Sequence, residues 1–192
     1  MPLSKLQHRK LEYLFYTYYD LKGNHIVTHG DFLEMSTHLQ HLRGWDADDP
    51  RVAEINDKLS EVWQGLKQAA DANRDQQVNM HEWLEYWDKA LTQCHDHKTD
   101  LFKVAPWMRD YMDILFEMMD TSGDGVIDES EYITMSRHFG VSELQAKQSF
   151  GKFAASEKVN RSAFEKLWIE FMTSDDSTSP GNYLFGIGNW KS

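Results

Sequence analysis

Asp120-Thr121-Ser122-Gly123-Asp124-Gly125-Val126-Ile127-Asp128-Glu129-Ser130-Glu131 is the stretch on which the fold turns. A hard cation such as calcium needs about six to eight oxygens, and a twelve-residue loop offers them from positions 1, 3, 5, 7, 9 and 12. Here Asp120, Ser122 and Asp124 fill positions 1, 3 and 5, and the Val126 carbonyl serves position 7. Asp128 stands at position 9, directly or through water, and Glu131 is the bidentate carboxylate at position 12. Gly125 sits at position 6, where a sharp turn favours glycine. Ile127, at position 8, is the apolar anchor for a short bridge to a partner loop.

The flanks of this loop are helical in pattern. Tyr111, Ile114, Leu115, Met118 and Met119 recur at three and four before it. The same spacing appears in Leu11, Leu14, Phe15, Tyr18 and Tyr19, in Val62, Trp63, Leu66, Ala69 and Ala70, and in Phe164, Leu167, Trp168, Phe171 and Met172. The spacing predicts eight main helices, near 4–19, 29–42, 51–70, 80–93, 107–119, 129–139, 142–151 and 161–173. Between paired helices lie short polar stretches that contain one β-branched residue: Val27, Val78, Ile127 and Val159. The chain is therefore a fourfold internal repeat of helix, polar loop, helix. The expected fold is all-α: four EF-hand units in two pairs packed into one compact globule. Residues 1–93 form the first pair, 106–173 the second, and 174–192 a tail that docks its apolar stretch, Tyr183 to Ile187 with Trp190, on the helices. Residues 93–105 read as a linker.

The second loop is Asp71-Ala72-Asn73-Arg74-Asp75-Gln76-Gln77-Val78-Asn79-Met80-His81-Glu82. Asp71, Asn73, Asp75, Asn79 and Glu82 fit the ligand slots, with the Gln77 carbonyl at position 7. Gln76 departs from the pattern, since a side chain held at positive φ costs on the order of 1 kcal/mol. The first loop, Asp20 to Asp31, offers Asp20, Asn24 and Thr28, with Asp31 at position 12. Lys22 puts a positive charge in a ligand slot, His25 replaces the turn glycine, and Asp31 is one methylene shorter than glutamate. An empty or weak structural loop is expected, a shorter carboxylate suiting magnesium better than calcium. The fourth, aligned on Val159, has Lys152, Ala154, Ser156 and Ala163 at positions 1, 3, 5 and 12. With no carboxylates to offset dehydration of an ion, it reads as a structural partner of the third loop.

Other patterns lose ground. Ala146 to Lys152 faintly resembles a phosphate loop, but Phe153 stands where a magnesium-binding hydroxyl is needed and helix, not strand, precedes it. His38 with His41, and His95 with His97, lack the cysteine partners of a zinc site. No nucleophile–base–acid set emerges, so catalysis is not expected. Trp63, Trp83, Trp87, Trp107 and Trp168 sit at core-facing positions. Met108, Met112, Met118 and Met119 share one helix, either as core or as an adaptable surface.

The chain resembles calexcitin and the invertebrate sarcoplasmic calcium-binding proteins over nearly its whole length. The likeness is carried by Ile55 to Trp87, especially Trp63-Gln64-Gly65-Leu66-Lys67, by Pro106-Trp107 to Tyr132, and by Phe164 to Phe185 with Asn182-Tyr183-Leu184-Phe185-Gly186. The resemblance implies a compact cytosolic calcium buffer or sensor, commonly with three working loops. Lys22 and His25 depart from that in the first. It extends to an insect branch described as juvenile hormone diol kinases, whose activity the missing phosphate loop leaves unsupported.

Composition agrees. The chain has 192 residues and a formal net charge of -11. An acidic surface suits cations and repels phosphate backbones and anionic lipid, so nucleic acid is not an expected partner. No run approaches a membrane span, so stable insertion is not expected. Residues Met1 to Lys10 lack a signal-peptide pattern, Pro2 breaks the myristoylation pattern, and the single Cys94 permits no internal disulfide. These point to the cytoplasm. The expected ligand is Ca2+, with Mg2+ as competitor, bound in the second and third loops of a monomer. The alternatives are a carrier or enzyme for an apolar small molecule, and an adaptor that grips a partner helix when calcium is bound.

Overall fold

The computed structural model describes residues 3–154 and 158–186. Ser156, Ile187 and Trp190 lie outside the described residues. The helices are α1 (Lys5–Leu14), α2 (His29–Arg43), α3 (Pro50–Ala70), α4 (Met80–His97), α5 (Leu101–Val104), α6 (Pro106–Met119), α7 (Glu129–His138), α8 (Glu143–Phe153) and α9 (Arg161–Thr173). The described residues are thus all-α apart from four two-residue strands, β1 (Ile26–Val27), β2 (Val78–Asn79), β3 (Val126–Ile127) and β4 (Val159–Asn160). These strands are the bridges expected between loops. β1 pairs antiparallel with β2, setting Val27 opposite Val78, and β3 with β4, setting Ile127 opposite Val159.

Two differences from the sequence expectation have local causes. Phe15–Tyr19 continues α1 as a widened π turn, closed by the Asp20 N–H on the Phe15 carbonyl at 2.8 Å. The expected linker is largely helical: α4 runs on to His97, and α5 follows after Asp100 caps it by accepting from the Phe102 N–H. Leu101 and Phe102 are buried, which gives that short turn a reason to form.

By contacts the chain divides into two units, residues 1–3 with 14–111, and residues 4–13 with 112–192. The first unit is built on aromatic rings. Tyr19 and Trp83 have centroids 4.7 Å apart, Trp83 and Trp87 5.6 Å, Trp87 and Trp107 6.0 Å, and Tyr19 and Trp107 6.2 Å. Such offset and edge contacts add to simple area burial. Gly65 lets α3 approach α6, because a Cβ there would lie 2.5 Å from the Trp107 Cβ.

The second unit closes around Trp168, Phe171 and Phe185, with centroids 5.0 and 4.8 Å from the Phe185 ring. Leu184 and Phe185 are buried, and their carbonyls accept from the Tyr132 hydroxyl at 2.9 Å and the Tyr13 hydroxyl at 2.8 Å respectively. Buried Lys10 donates to the Ser174 carbonyl at 2.7 Å and to Asn182 Oδ1 at 3.0 Å. Met108 and Met112 on α6, with Met118 and Met119, are all buried, so these methionines fill core and present no surface. Ala146–Phe153 lies within α8, not in a loop.

Candidate metal centres

The loops are placed by the helices that begin inside them. Position 9 is the N-cap of the exiting helix and position 12 is its third residue, so the two meet as a capping box. In the third loop, Asp128 Oδ1 accepts from the Glu131 N–H at 2.9 Å, and Glu131 Oε2 accepts from the Asp128 N–H at 3.0 Å. In the second, Asn79 Oδ1 and Glu82 Oε2 do the same at 3.1 Å each. In the first, Thr28 and Asp31 form the box, with the Thr28 N–H on Asp31 Oδ2 at 2.8 Å. In the fourth, Asn160 still caps α9 by accepting from the Ala163 N–H at 2.9 Å, but Ala163 has no carboxylate to return. Helix initiation and ligand placement are the same local geometry, and the fourth loop keeps only the first.

The carboxylate at position 12 also reaches across its loop. Glu131 Oε1 accepts from the Ser122 N–H at 2.8 Å and from Thr121 Oγ1 at 3.2 Å. Glu82 Oε1 accepts from the N–H groups of Ala72 at 3.2 Å and Asn73 at 3.4 Å. The shorter Asp31 spans the same gap, Oδ1 accepting from the Lys22 N–H at 3.1 Å. At position 1, Asp120 gathers the N–H groups of Gly123, Asp124 and Gly125 at 2.8, 3.2 and 2.9 Å. Asp71 takes those of Asp75 and Gln76 at 3.2 and 3.0 Å, and Asp20 those of Asn24 and His25 at 3.0 and 2.9 Å. Burial pushes the Glu131 carboxyl up; the N–H groups of Asp128 and Ser122 outweigh it and hold the group below its ordinary value.

In each of the first three loops the main chain enters the left-handed region twice, at positions 4 and 6. The residues are Gly23 and His25, Arg74 and Gln76, and Gly123 and Gly125, all with φ between 63° and 82°. Sequence reasoning identified position 6 and missed position 4. The glycine at position 4 in the third loop was the available signal. Gln76 is steadied by Lys67, whose ammonium donates to Gln76 Oε1 at 2.8 Å.

The donor chemistry separates the loops. Among the described residues no group of three or more His, Cys, Asp or Glu side chains stands close enough to hold a metal by those side chains alone. An EF-hand loop draws on amide, hydroxyl and main-chain oxygens as well. Each carboxylate has about four lone-pair sites, so an N–H contact leaves acceptor capacity free. The second loop offers Asp71, Asn73, Asp75, Asn79 and Glu82, and the third Asp120, Ser122, Asp124, Asp128 and Glu131. Both oxygen sets fit a hard divalent cation. In the first loop the Lys22 ammonium lies against Gly30, 2.0 Å from where a Cβ of that residue would stand, so a cationic side chain replaces the oxygen at position 3. From the fourth loop, Lys158 pairs with Asp124 of the third at 2.9 Å, a contact the sequence reading did not identify.

Helix–loop–helix units in antiparallel bridged pairs, with this capping geometry, define an EF-hand chain of four units. No protein-family model matches the chain. In sequence it is 27% identical over 185 residues to calexcitin-1 of Caenorhabditis elegans, covering 93% of this chain and 85% of that protein. It is 24% identical over 186 residues to sarcoplasmic calcium-binding proteins II, V, VI and VII of Branchiostoma lanceolatum, covering 96% and 98%. In structure it is similar to the sarcoplasmic calcium-binding protein from amphioxus, with a TM-score of 0.84 and 23% identity over 97% of this chain and 99% of that one. The likeness to calexcitin and the sarcoplasmic calcium-binding proteins, read from the sequence over nearly its whole length, is found in these comparisons over most of each chain.

Proposed function

We propose that this chain binds Ca2+ through its second and third loops and serves as a cytoplasmic calcium buffer, working as a monomer without catalysing a reaction. One observation carries the reading. Only these two loops combine an oxygen donor at every ligand position with the capping box that presents the position-12 glutamate. Bound calcium supplies the positive charge that reconciles carboxylates otherwise repelling one another. Asp120 and Glu131 are oriented by main-chain N–H groups, and carboxylates held in this way cost less to order on binding. The third loop has glycine at both left-handed positions and is the tighter site. Affinities fall between about 10⁻⁸ and 10⁻⁵ M. Buffering is favoured over sensing because Leu184 and Phe185 cover apolar surface of the second unit, which a sensor has to expose.

Calorimetric titration tests this. A stoichiometry of two, reduced to one by either Glu82→Gln or Glu131→Gln, supports the assignment. Uptake unchanged by both substitutions together places the ions elsewhere. Calcium-dependent capture on a hydrophobic resin would replace the buffer with a sensor.

A further inference from the structure

The fourth loop has no carboxylate at a ligand position, yet it delivers one charged group to its neighbour. Lys158 occupies position 7, whose side chain is free to point outward because a working loop uses only the main-chain carbonyl there. The bridge register sets Ile127 opposite Val159, so the residue before Val159 meets the residue after Ile127. Lys158 is thereby brought beside the third loop, and its ammonium sits 2.9 Å from Asp124 Oδ2. The other oxygen of Asp124 accepts from the Val126 N–H at 3.1 Å. Asp128 and Glu131 add to the field on the ammonium. The first pair is an internal contrast. Position 7 of its first loop is the neutral Ile26, and Asp75 Oδ2, the counterpart of the paired oxygen, accepts from the amide of Asn73 at 3.0 Å.

We propose that Lys158 is a built-in counter-ion of the third loop, holding its carboxylates together when no metal is bound and lowering its affinity for calcium. The proposal rests on the reading of the third loop as a calcium site. Four carboxylates at ligand positions, those of Asp120, Asp124, Asp128 and Glu131, share this loop, and Glu129 adds a fifth outside those positions. A fixed ammonium beside one of them offsets part of their repulsion in the metal-free protein. The same charge repels an arriving divalent ion, which has to share Asp124 with it. Both side chains are about half exposed, at 55% and 44%, so the effect is solvent-screened and moderate. The fourth loop, without carboxylate ligands of its own, acts as a tuning element for its partner.

The test uses the full chain carrying Glu82→Gln, so that the third loop alone is read. Calcium affinity is measured by calorimetry with and without Lys158→Gln and Lys158→Arg, at about 0.01 M and about 1 M ionic strength, where the Debye length is about 30 and 3 Å. Lys158→Gln is expected to tighten binding about 3–10-fold at low salt and by little at high salt. Lys158→Arg is expected to match the parent, and the metal-free Lys158→Gln protein to melt at a lower temperature. Equal or weaker binding by Lys158→Gln at low salt overturns the counter-ion. Failure of the calcium-site reading looks different: Glu131→Gln then leaves uptake intact whatever stands at 158.

Discussion

Tyr111 donates its hydroxyl hydrogen to the main-chain carbonyl of Tyr18 at 2.7 Å, whereas the adjacent Tyr19 hydroxyl is buried with no hydrogen-bond partner among the described residues. The two rings lie 4.8 Å apart in the same core. Burial pushes the Tyr19 hydroxyl far up from its ordinary pKa, and the neighbouring Tyr111 and Tyr86 add to it. A buried polar group without a partner costs about 1–3 kcal/mol, while a satisfied one contributes about 1. Tyr19→Phe is therefore expected to raise unfolding free energy by about 1 kcal/mol, and Tyr111→Phe to lower it by about the same. Urea unfolding of the calcium-loaded proteins distinguishes them; destabilisation by both would mean that Tyr19 has a partner after all.

Lys10 links burial to pH. Burial pulls its pKa down from 10.5 to about 8, against the opposing pull of Asp175 and Glu170. In the unfolded chain the amine keeps its ordinary value, so between pH 8 and 10.5 the unfolded state binds more protons than the folded one. Stability therefore rises with pH through that window, where the buried amine is neutral and the unfolded one still charged. Neutral amine has two hydrogens, enough for both bonds to Ser174 and Asn182. Buried tyrosines oppose the trend only above about pH 10, where unfolded tyrosines ionise. Thermal midpoints measured from pH 7.5 to 9.5 should climb in the parent and lose that climb in Lys10→Met, where the Cys94 thiol, pushed up by burial, pulls the other way. A parallel climb in both would assign the slope to another group.

The second loop stores strain that the third does not. Arg74 and Gln76 both hold φ near +65°, at 63° and 67°, where the third loop has Gly123 and Gly125. Each such residue costs about 1–2 kcal/mol relative to glycine, less the extra entropy glycine brings to the unfolded chain. Arg74→Gly and Gln76→Gly are each expected to stabilise the protein by about 0.5–1 kcal/mol. Gln76→Gly should show less, since it also gives up the hydrogen bond from Lys67. Neither should change the stoichiometry of calcium uptake. Destabilisation by Arg74→Gly would show that its side chain contributes more than its backbone costs.

What could be read before the fold was known follows from what is local. The four repeats, the bridging residues Val27, Val78, Ile127 and Val159, and helix α9 at residues 161–173 all rest on short-range spacing. Leu101–Val104 escaped because four residues are too few to display a period. Lys10 is, in the sequence, one charge within the first expected helix. Its burial depends on Ser174 and Asn182, more than 160 residues away, and nothing in its neighbourhood reports that. Lys158 escaped for a related reason: position 7 lends only its main-chain carbonyl, so the side chain carries no local signal, and its pairing with Asp124 depends on the β3–β4 bridge that sets the two loops side by side. The capping boxes were legible in principle as Thr28 with Asp31, Asn79 with Glu82 and Asp128 with Glu131, but were read only as ligands.

The first loop provides the strictest test of that local logic. Its main chain already adopts the arrangement of the other two: Asp20 gathers the same N–H groups, and Asp31 spans Lys22 and Thr28 as the glutamates span their loops. What sets it apart is chemical. Lys22 places an ammonium where an oxygen is needed, and His25 holds a left-handed φ of 67° in place of glycine. Lys22→Asp with His25→Gly removes the repulsive charge, supplies the missing donor and relieves the strain. The double variant is expected to take up three calcium ions by calorimetry where the parent takes two, with the new site weaker than about 10⁻⁵ M because Asp31 is shorter than glutamate. Adding Asp31→Glu should then tighten it. If the triple variant still takes up only two, matching main-chain hydrogen bonds are insufficient to define a site, and the argument from loop geometry fails for the second loop as well.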